Sequence, residues 1–291
     1  MKRQFLIVLL FLFFAILKAQ QIILPTVDNF ELSVKVSVSD TVLPSHPDRT
    51  CYVYKYTLIN SPSSGQPVYI FEIPWFARYY YPPLYHYLKG DTSFSVIGHP
   101  ISKRASWLDL NIKPGDTVSG FVFITKELPS ISDAYAEGLD TVVFTPEVYG
   151  LPEDVAEDTL NKIYYERTPY GPGKVYKTVG PGPLPPGEWN FDSTMYFVSD
   201  SGFYHLIDRV NKCFEQNWLK ERAKDHLTRM YERGLRHYQN NRVEQARKVL
   251  SQIIDYLERE RGNLVFDEAF YVLYYRTKFV SEHLLEQYRN K

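Results

Sequence analysis

Cysteine is scarce: there are two in 291 residues, Cys51 and Cys213. So few thiols exclude a disulfide-framework miniprotein and a multi-cysteine metal domain. Charge of one sign is also lacking, because the formal net charge is −1. That removes any global case for a nucleic-acid partner. No G-x-S-x-G, H-E-x-x-H, P-loop or dinucleotide glycine pattern occurs, so none of the common hydrolase, metalloprotease or nucleotide-binding signatures is present. After residue 17 no apolar run approaches the length needed to span a membrane. No catalytic residue, cofactor or metal is therefore assigned.

Apolar residues are plentiful at 44%, which excludes wholesale disorder. Aromatics reach 16%, with 24 Tyr and 18 Phe, and point to β-rich surfaces. At the start, Lys2 and Arg3 precede an unbroken apolar run from Phe5 to Leu17, followed by Lys18 and Ala19. A basic start, a short apolar run and a small residue describe a secretory signal over 1–19. A retained anchor is the alternative, but it needs about 20 apolar residues. The expected mature chain is secreted or periplasmic, with no membrane contact after cleavage.

Residues 22–200 have the grammar of strands. Phe30, Leu32, Val34, Val36 and Val38 alternate with Glu31, Ser33, Lys35 and Ser37. Period two marks a half-buried strand. Tyr52, Tyr54, Tyr56 and Leu58 repeat the pattern. Ser61-Pro62-Ser63-Ser64-Gly65 then turns the chain, and Val68 to Ile73 is expected to return as the second arm of a hairpin. Trp107 to Ile112 leads through Lys113-Pro114-Gly115-Asp116 into a strand over 117–125, and Thr141 to Phe144 is a further short one. Residues 22–165 are expected to form an antiparallel β-sandwich. Residues 166–202 are a Pro/Gly-rich connection, with Met195 to Val198 as a last strand.

Residues 203–291 change to helical spacing. Val243, Ala246, Leu250, Ile253 and Leu257 lie on one helix face, with Asn241 as the expected N-cap, Glu244 as its partner and Gly262 as the stop. Asn217 is the expected cap of a preceding helix through Leu219, Ala223, Leu227, Met230, Gly234 and Tyr238. A shorter helix over Phe203 to Phe214 leads in, and a later one carries Ala269, Val272, Leu273, Phe279 and Leu284. The expected fold is multi-domain: an N-terminal antiparallel β-sandwich followed by a C-terminal all-α helical bundle. Charge divides in the same place. Residues 20–202 hold 13 Lys and Arg against 21 Asp and Glu, a balance of −8; residues 203–291 hold 17 against 13, a balance of +4.

Leu206, Cys213, Trp218-Leu219, Leu227, Gln245-Ala246, Leu250, Ile253-Ile254, Arg261-Gly262 and Ala269 give the helical region a familiar outline. It resembles the FIMAH-type domain of secreted bacterial proteins over about 80 residues. Gln239-Asn240-Asn241 replaces that family's glycine after the second helix. The resemblance implies a non-catalytic accessory or interaction module and carries no catalytic residues over. A tetratricopeptide-like helix pair is the alternative, although one unit is visible where such arrays need about three. The strand-rich region looks like sandwich modules found beside such helical domains.

Trp75, Phe76, Tyr79, Tyr80, Tyr81, Tyr85 and Tyr87 crowd into thirteen residues, with Pro74 just before them and Pro82 and Pro83 among them. Aromatics on a loop stack on sugars or anchor a protein; a loop folded over the sheet edge as a lid on the core accounts for them without any ligand. This stretch is the expected recognition surface, for a protein or glycan partner on the envelope. Glu153, Asp154, Glu157 and Asp158 lack the intervening Gly and Asn of a calcium loop and read as a solvated acidic turn. His226 and His237 stand three helical turns apart, too far to share an ion. His205 and Cys213 are likewise too distant. Cys213 follows Leu206 and Val210 on one helix face, so it and Cys51 are expected to be free thiols. The expected function is an exported, non-catalytic binding module of the bacterial envelope or exterior. The alternative is a hydrolase acting on cell-wall or extracellular polysaccharide, with Asp109, Asp116 and Glu127 as available acids.

Overall fold

The computed structural model describes residues 28–43, 46–74, 95–99, 104–138, 173–190 and 195–284. Alternation builds the first sheet. In β1 (Leu32–Leu43) Leu32, Val36 and Val38 turn inward, while Ser33, Lys35 and Ser37 face out. In β2 (His46–Asn60) Tyr52, Tyr54, Tyr56 and Leu58 are buried. With β3 at Val68–Pro74, β4 at Ser95–His99, β5 at Arg104–Leu108 and β6 at Thr117–Thr125, two groups emerge. One sheet has the order β1-β2-β6. The other has the order β4-β5-β3-β7-β8, with β7 at Leu128–Gly138 and β8 at Lys174–Gly182. Their aromatic faces meet: the Tyr56 ring lies 5.7 Å from Phe71 and 6.4 Å from Trp107, and Trp107 lies 5.7 Å from Phe121. A two-stranded ribbon, β9 (Glu188–Asn190) and β10 (Met195–Phe197), leads to the helices.

The turn at 61–65 does not close a hairpin. β2 pairs with β1 and β6, and β3 pairs with β5 and β7. Residues 61–67 therefore cross from one sheet to the other, as do 109–116. Asn60 ties the two crossings together at a buried corner. Its side-chain amide donates to Gln66 O at 3.1 Å and Ile112 O at 2.9 Å, and its backbone carbonyl accepts from Gly115 N–H at 2.9 Å. Part of the Pro/Gly-rich connection is also structured, because Lys174–Gly182 is an edge strand paired with β7. An edge tolerates Pro181, since only one side of it has a ladder to satisfy.

Four helices follow: α1 (Asp200–Glu215), α2 (Glu221–Gln239), α3 (Val243–Glu260) and α4 (Asp267–His283). Asn217 and Asn241 do not cap the helices that follow them. Both adopt left-handed backbone, φ 61° and 57°, and end the helices before them. Asn217 N–H reaches Phe214 O and Trp218 N–H reaches Cys213 O; Asn241 and Arg242 repeat this onto Tyr238 and His237. That is a Schellman stop in each case. Gly262, at φ 77°, is left-handed as its position past the last periodic turn suggests.

The expected fold class is corrected. Strand and helix are present in nearly equal share, about 40% and 39%, and they share one hydrophobic core running from Phe30 to Leu284. The fold is α+β, two antiparallel sheets with four helices, and not a sandwich followed by a separate all-α bundle. The strands do precede the helices along the chain. The element responsible is α4. Its buried residues run Ala269, Phe270, Tyr271, Val272 and Leu273 without a break, then Tyr275, Arg276, Thr277 and Val280. A helix apolar all round is buried on more than one side. One side packs among the other helices, where Tyr231 Oη and Thr277 Oγ1 lie 2.6 Å apart. The other lies on the strands: Tyr275 donates to Val38 O at 3.2 Å, its ring meets Tyr52 edge-on at 5.2 Å, and Lys278 pairs with Asp40 at 3.0 Å.

Candidate functional site

Among the described residues the most unusual group is Arg276, a fully buried arginine in the middle of α4. The strands explain why it is there. Pro129 of β7 faces Pro181 of β8 in the ladder. Neither proline has an N–H, so neither can donate to the other. Arg276 brings donors to this end of the ladder from outside the sheet. Its Nε donates to Pro129 O at 2.7 Å and its Nη1 to Pro183 O at 3.0 Å. Gly182 leaves the room: a Cβ there would stand 2.4 Å from Ser130 Cβ and 3.3 Å from Arg276 Nη2.

His205 of α1 completes the seam, its Nε2 lying 2.9 Å from Arg276 Nη1. A guanidinium only donates, so Nε2 accepts and the ring carries its proton on Nδ1. Burial pushes the His205 pKa down to about 3, and the charges of Arg276 and Arg209 add to that. The ring is neutral at all ordinary pH. Burial, seconded by Arg209, lowers Arg276 to about 9, which still leaves it charged at neutral pH. Cys213, on α1 with His205, is buried, and its thiol is pushed up to about 12. It is a small apolar side chain, not a nucleophile. Cys51 is also buried, and the two thiols are not bonded to each other. The seam therefore holds helix to sheet, with no group poised to exchange a proton.

The acids available to a hydrolase are dispersed among structural tasks. Asp109 accepts from Tyr69 Oη, Asp116 accepts from Lys113 N–H at 3.2 Å, and Glu127 Oε2 accepts from Thr125 Oγ1 at 3.4 Å. His226 stacks on Tyr256 with ring centres 4.3 Å apart. Burial, then Arg229, Arg259 and Arg233, lowers its pKa. His237 lies on the same helix, α2, as the spacing required. Asn211, Lys224, Asp225, Thr228, Arg229 and Glu232 line an open groove of about 440 Å³ between α1 and α2. Its charges balance and it lacks the apolar walls of a small-molecule site.

The aromatic residues Trp75, Phe76, Tyr79, Tyr80, Tyr81, Tyr85 and Tyr87 lie outside the described residues, as do Glu153, Asp154, Glu157, Asp158, the signal region and Thr141 to Phe144. Their flanks are described. β3 and β4 are both antiparallel to β5, so they run the same way. Pro74, opposite Arg104, and Ser95, opposite Leu108, therefore stand at opposite ends of the same sheet. Sequence reasoning missed Arg276 and Asn60. An arginine directly after the unbroken apolar run from Ala269 to Tyr275 was the available signal for the first; a buried corner asparagine left none. No family model, curated protein or solved structure matches the chain.

Proposed function

We propose that this chain is an exported, non-catalytic binding module. The aromatic stretch from Trp75 to Tyr87 is its recognition surface, for a protein or glycan of the bacterial envelope. The observation that carries the reading is the anchoring of that stretch. Both of its flanks are strands of one five-stranded sheet, and that sheet is locked to the helices through Arg276. Recognition residues belong on connections held by a rigid frame. The likeness of the helical region to FIMAH-type accessory domains supports the same class.

The test is capture from envelope fractions and from a glycan panel with the chain lacking residues 1–19. Wild type is expected to retain a component that W75A/Y79A/Y85A does not. Equal capture by both removes the aromatic surface, and release of shortened glycan would establish a hydrolase instead. Sequencing the N-terminus of the exported form checks the signal; retention of Lys2 and Arg3 in a membrane fraction would overturn it.

A further inference from the structure

The seam around Arg276 has donors left over. His205, Arg209 and Cys213 stand four residues apart on one face of α1, and Arg276 lies against that face through His205. Arg209 is the charge that bears most strongly on Arg276, and both bear on Cys213. The two guanidiniums are therefore neighbours. Nε and Nη1 of Arg276 carry three hydrogens, which go to Pro129 O, Pro183 O and His205 Nε2. Its buried Nη2 has no acceptor among the described residues, nor has the buried Nε of Arg209. The acid paired with Arg209 is Asp208, 3.5 Å from Nη2, and it is half-exposed and held by Lys212 at 2.9 Å. No carboxylate is among the groups that bear most on Arg276. Asp40, Glu127 and Glu282 bear on Tyr52 and Tyr54 instead. A buried guanidinium is well accommodated when its N–H groups are met and its charge is balanced, and here both conditions fall short.

We propose that the seam binds a monatomic anion, chloride in ordinary buffers, between Arg276 Nη2 and Arg209 Nε. Donors on two neighbouring cations call for an acceptor that carries charge, because such hydrogen bonds are the strong ones and the ion offsets the buried charge. Two other occupants fit less well. Water brings two hydrogens of its own, and the nearest carbonyls, Pro129 O and Pro183 O, already accept from Arg276. Phosphate, sulfate or a carboxylate brings several oxygens, and the two leftover nitrogens cannot satisfy them all in an enclosed place. A halide has neither hydrogens to place nor further polar atoms to satisfy. Bound there, it ties α1 to α4 at the point where α4 holds β7 and β8. The inference goes beyond the binding-module reading and does not depend on it.

The experiment is urea unfolding at constant ionic strength, with sodium gluconate exchanged for sodium chloride up to about 200 mM. An ion that binds only the folded chain raises the folding constant, and a dissociation constant of about 20 mM gives a rise of about tenfold over that range. Arg209→Gln is expected to reduce the rise to less than about twofold. Arg222→Gln removes the same charge from an exposed position on α2 and is expected to keep the full rise. Should Arg209→Gln fail a circular-dichroism check of folding, Arg209→Lys replaces it, with a rise of about threefold or less expected. Crystals grown in sodium bromide supply a second readout: an anomalous peak touching both Arg276 and Arg209 is expected. A wild-type folding constant indifferent to chloride would overturn the proposal. So would an equal rise in the Arg209 and Arg222 variants, or bromide peaks on the surface alone, which would mean an adventitious ion only.

Discussion

Helices α3 and α4 are almost equal in length, 18 and 17 residues, and opposite in character. α3 buries one stripe, Ala246, Val249, Leu250, Ile253, Tyr256 and Leu257, and gives the rest to solvent. α4 buries nearly every position of its first three turns. A single stripe needs one neighbouring layer; an all-round apolar helix needs two. The arginines of the two helices follow suit. Arg247 of α3 reaches Ser281 O and Leu284 O from a half-exposed position, while Arg276 of α4 is enclosed. The same residue type trims a surface in one helix and forms the joint of the fold in the other.

The widest difference should appear on truncation. Arg276→Ala removes the donors of Pro129 O and Pro183 O and leaves a cavity, so a loss of about 3–5 kcal/mol is expected. Arg247→Ala should cost less than about 1 kcal/mol. Urea unfolding followed by helical ellipticity and by near-ultraviolet aromatic signals measures both. The two probes should move together, because strands and helices share one core. Separate transitions would mean that α4 does not couple the layers.

Glycines on either side of the comparison come next. Gly182→Ala drives a Cβ into Ser130 and crowds Arg276, and about 2 kcal/mol should be lost. Gly262→Ala, after α3, meets open space but must hold φ 77°. It should cost about 1 kcal/mol. Equal values would imply that the β8 end relaxes away from α4.

Acid probes the seam more gently. His205 is neutral when folded, with its pKa lowered to about 3, and titrates at its ordinary value of 6.5 when unfolded. Below pH 6.5 the unfolded chain takes up a proton that the folded chain refuses, so stability is full above that value and falls as pH drops. The slope cannot exceed about 1.4 kcal/mol per pH unit for one proton. By pH 5.5 about 1.4 kcal/mol should be gone, and His205→Gln should flatten that part of the profile. An unchanged slope in the variant would place the proton elsewhere.

Periodicity made the elements legible and left their partners hidden. The alternation of β1 and β2 and the face of α3 are properties of adjacent residues, and each lies where the spacing put it. Which strand pairs with which depends on contacts far away in sequence. The Ser61–Gly65 turn signal marks a real reversal, yet nothing local says whether the chain returns beside β2 or crosses to the facing sheet. Arg276 shows the same limit, because its acceptors are carbonyls 147 and 93 residues distant. Two prolines that face each other in a ladder are visible only once the register is known. The Pro/Gly-rich β8 misleads for a related reason: the composition that weakens an isolated strand is what lets a helix side chain approach its backbone.

Asn241 offers the finest test, because two accounts of one residue predict opposite signs. As an N-cap of α3 its side-chain oxygen would accept from the first turn, and replacement by glycine would cost a few tenths of a kcal/mol. In the structure the N-cap is Arg242, with no side-chain cap bond, and Asn241 sits at φ 57° closing α2. Its N–H goes to Tyr238 O at 2.9 Å and that of Arg242 to His237 O at 2.9 Å. A left-handed position taxes any side chain, and asparagine is tolerated there where glycine is preferred. Asn241→Gly should therefore leave the chain more stable by up to about 0.5 kcal/mol, read as a rise in the urea midpoint at constant slope. Asn217→Gly, at φ 61° after α1, should behave alike. A fall in the midpoint of either variant would mean that the asparagine side chain starts the next helix, as its sequence position alone suggests.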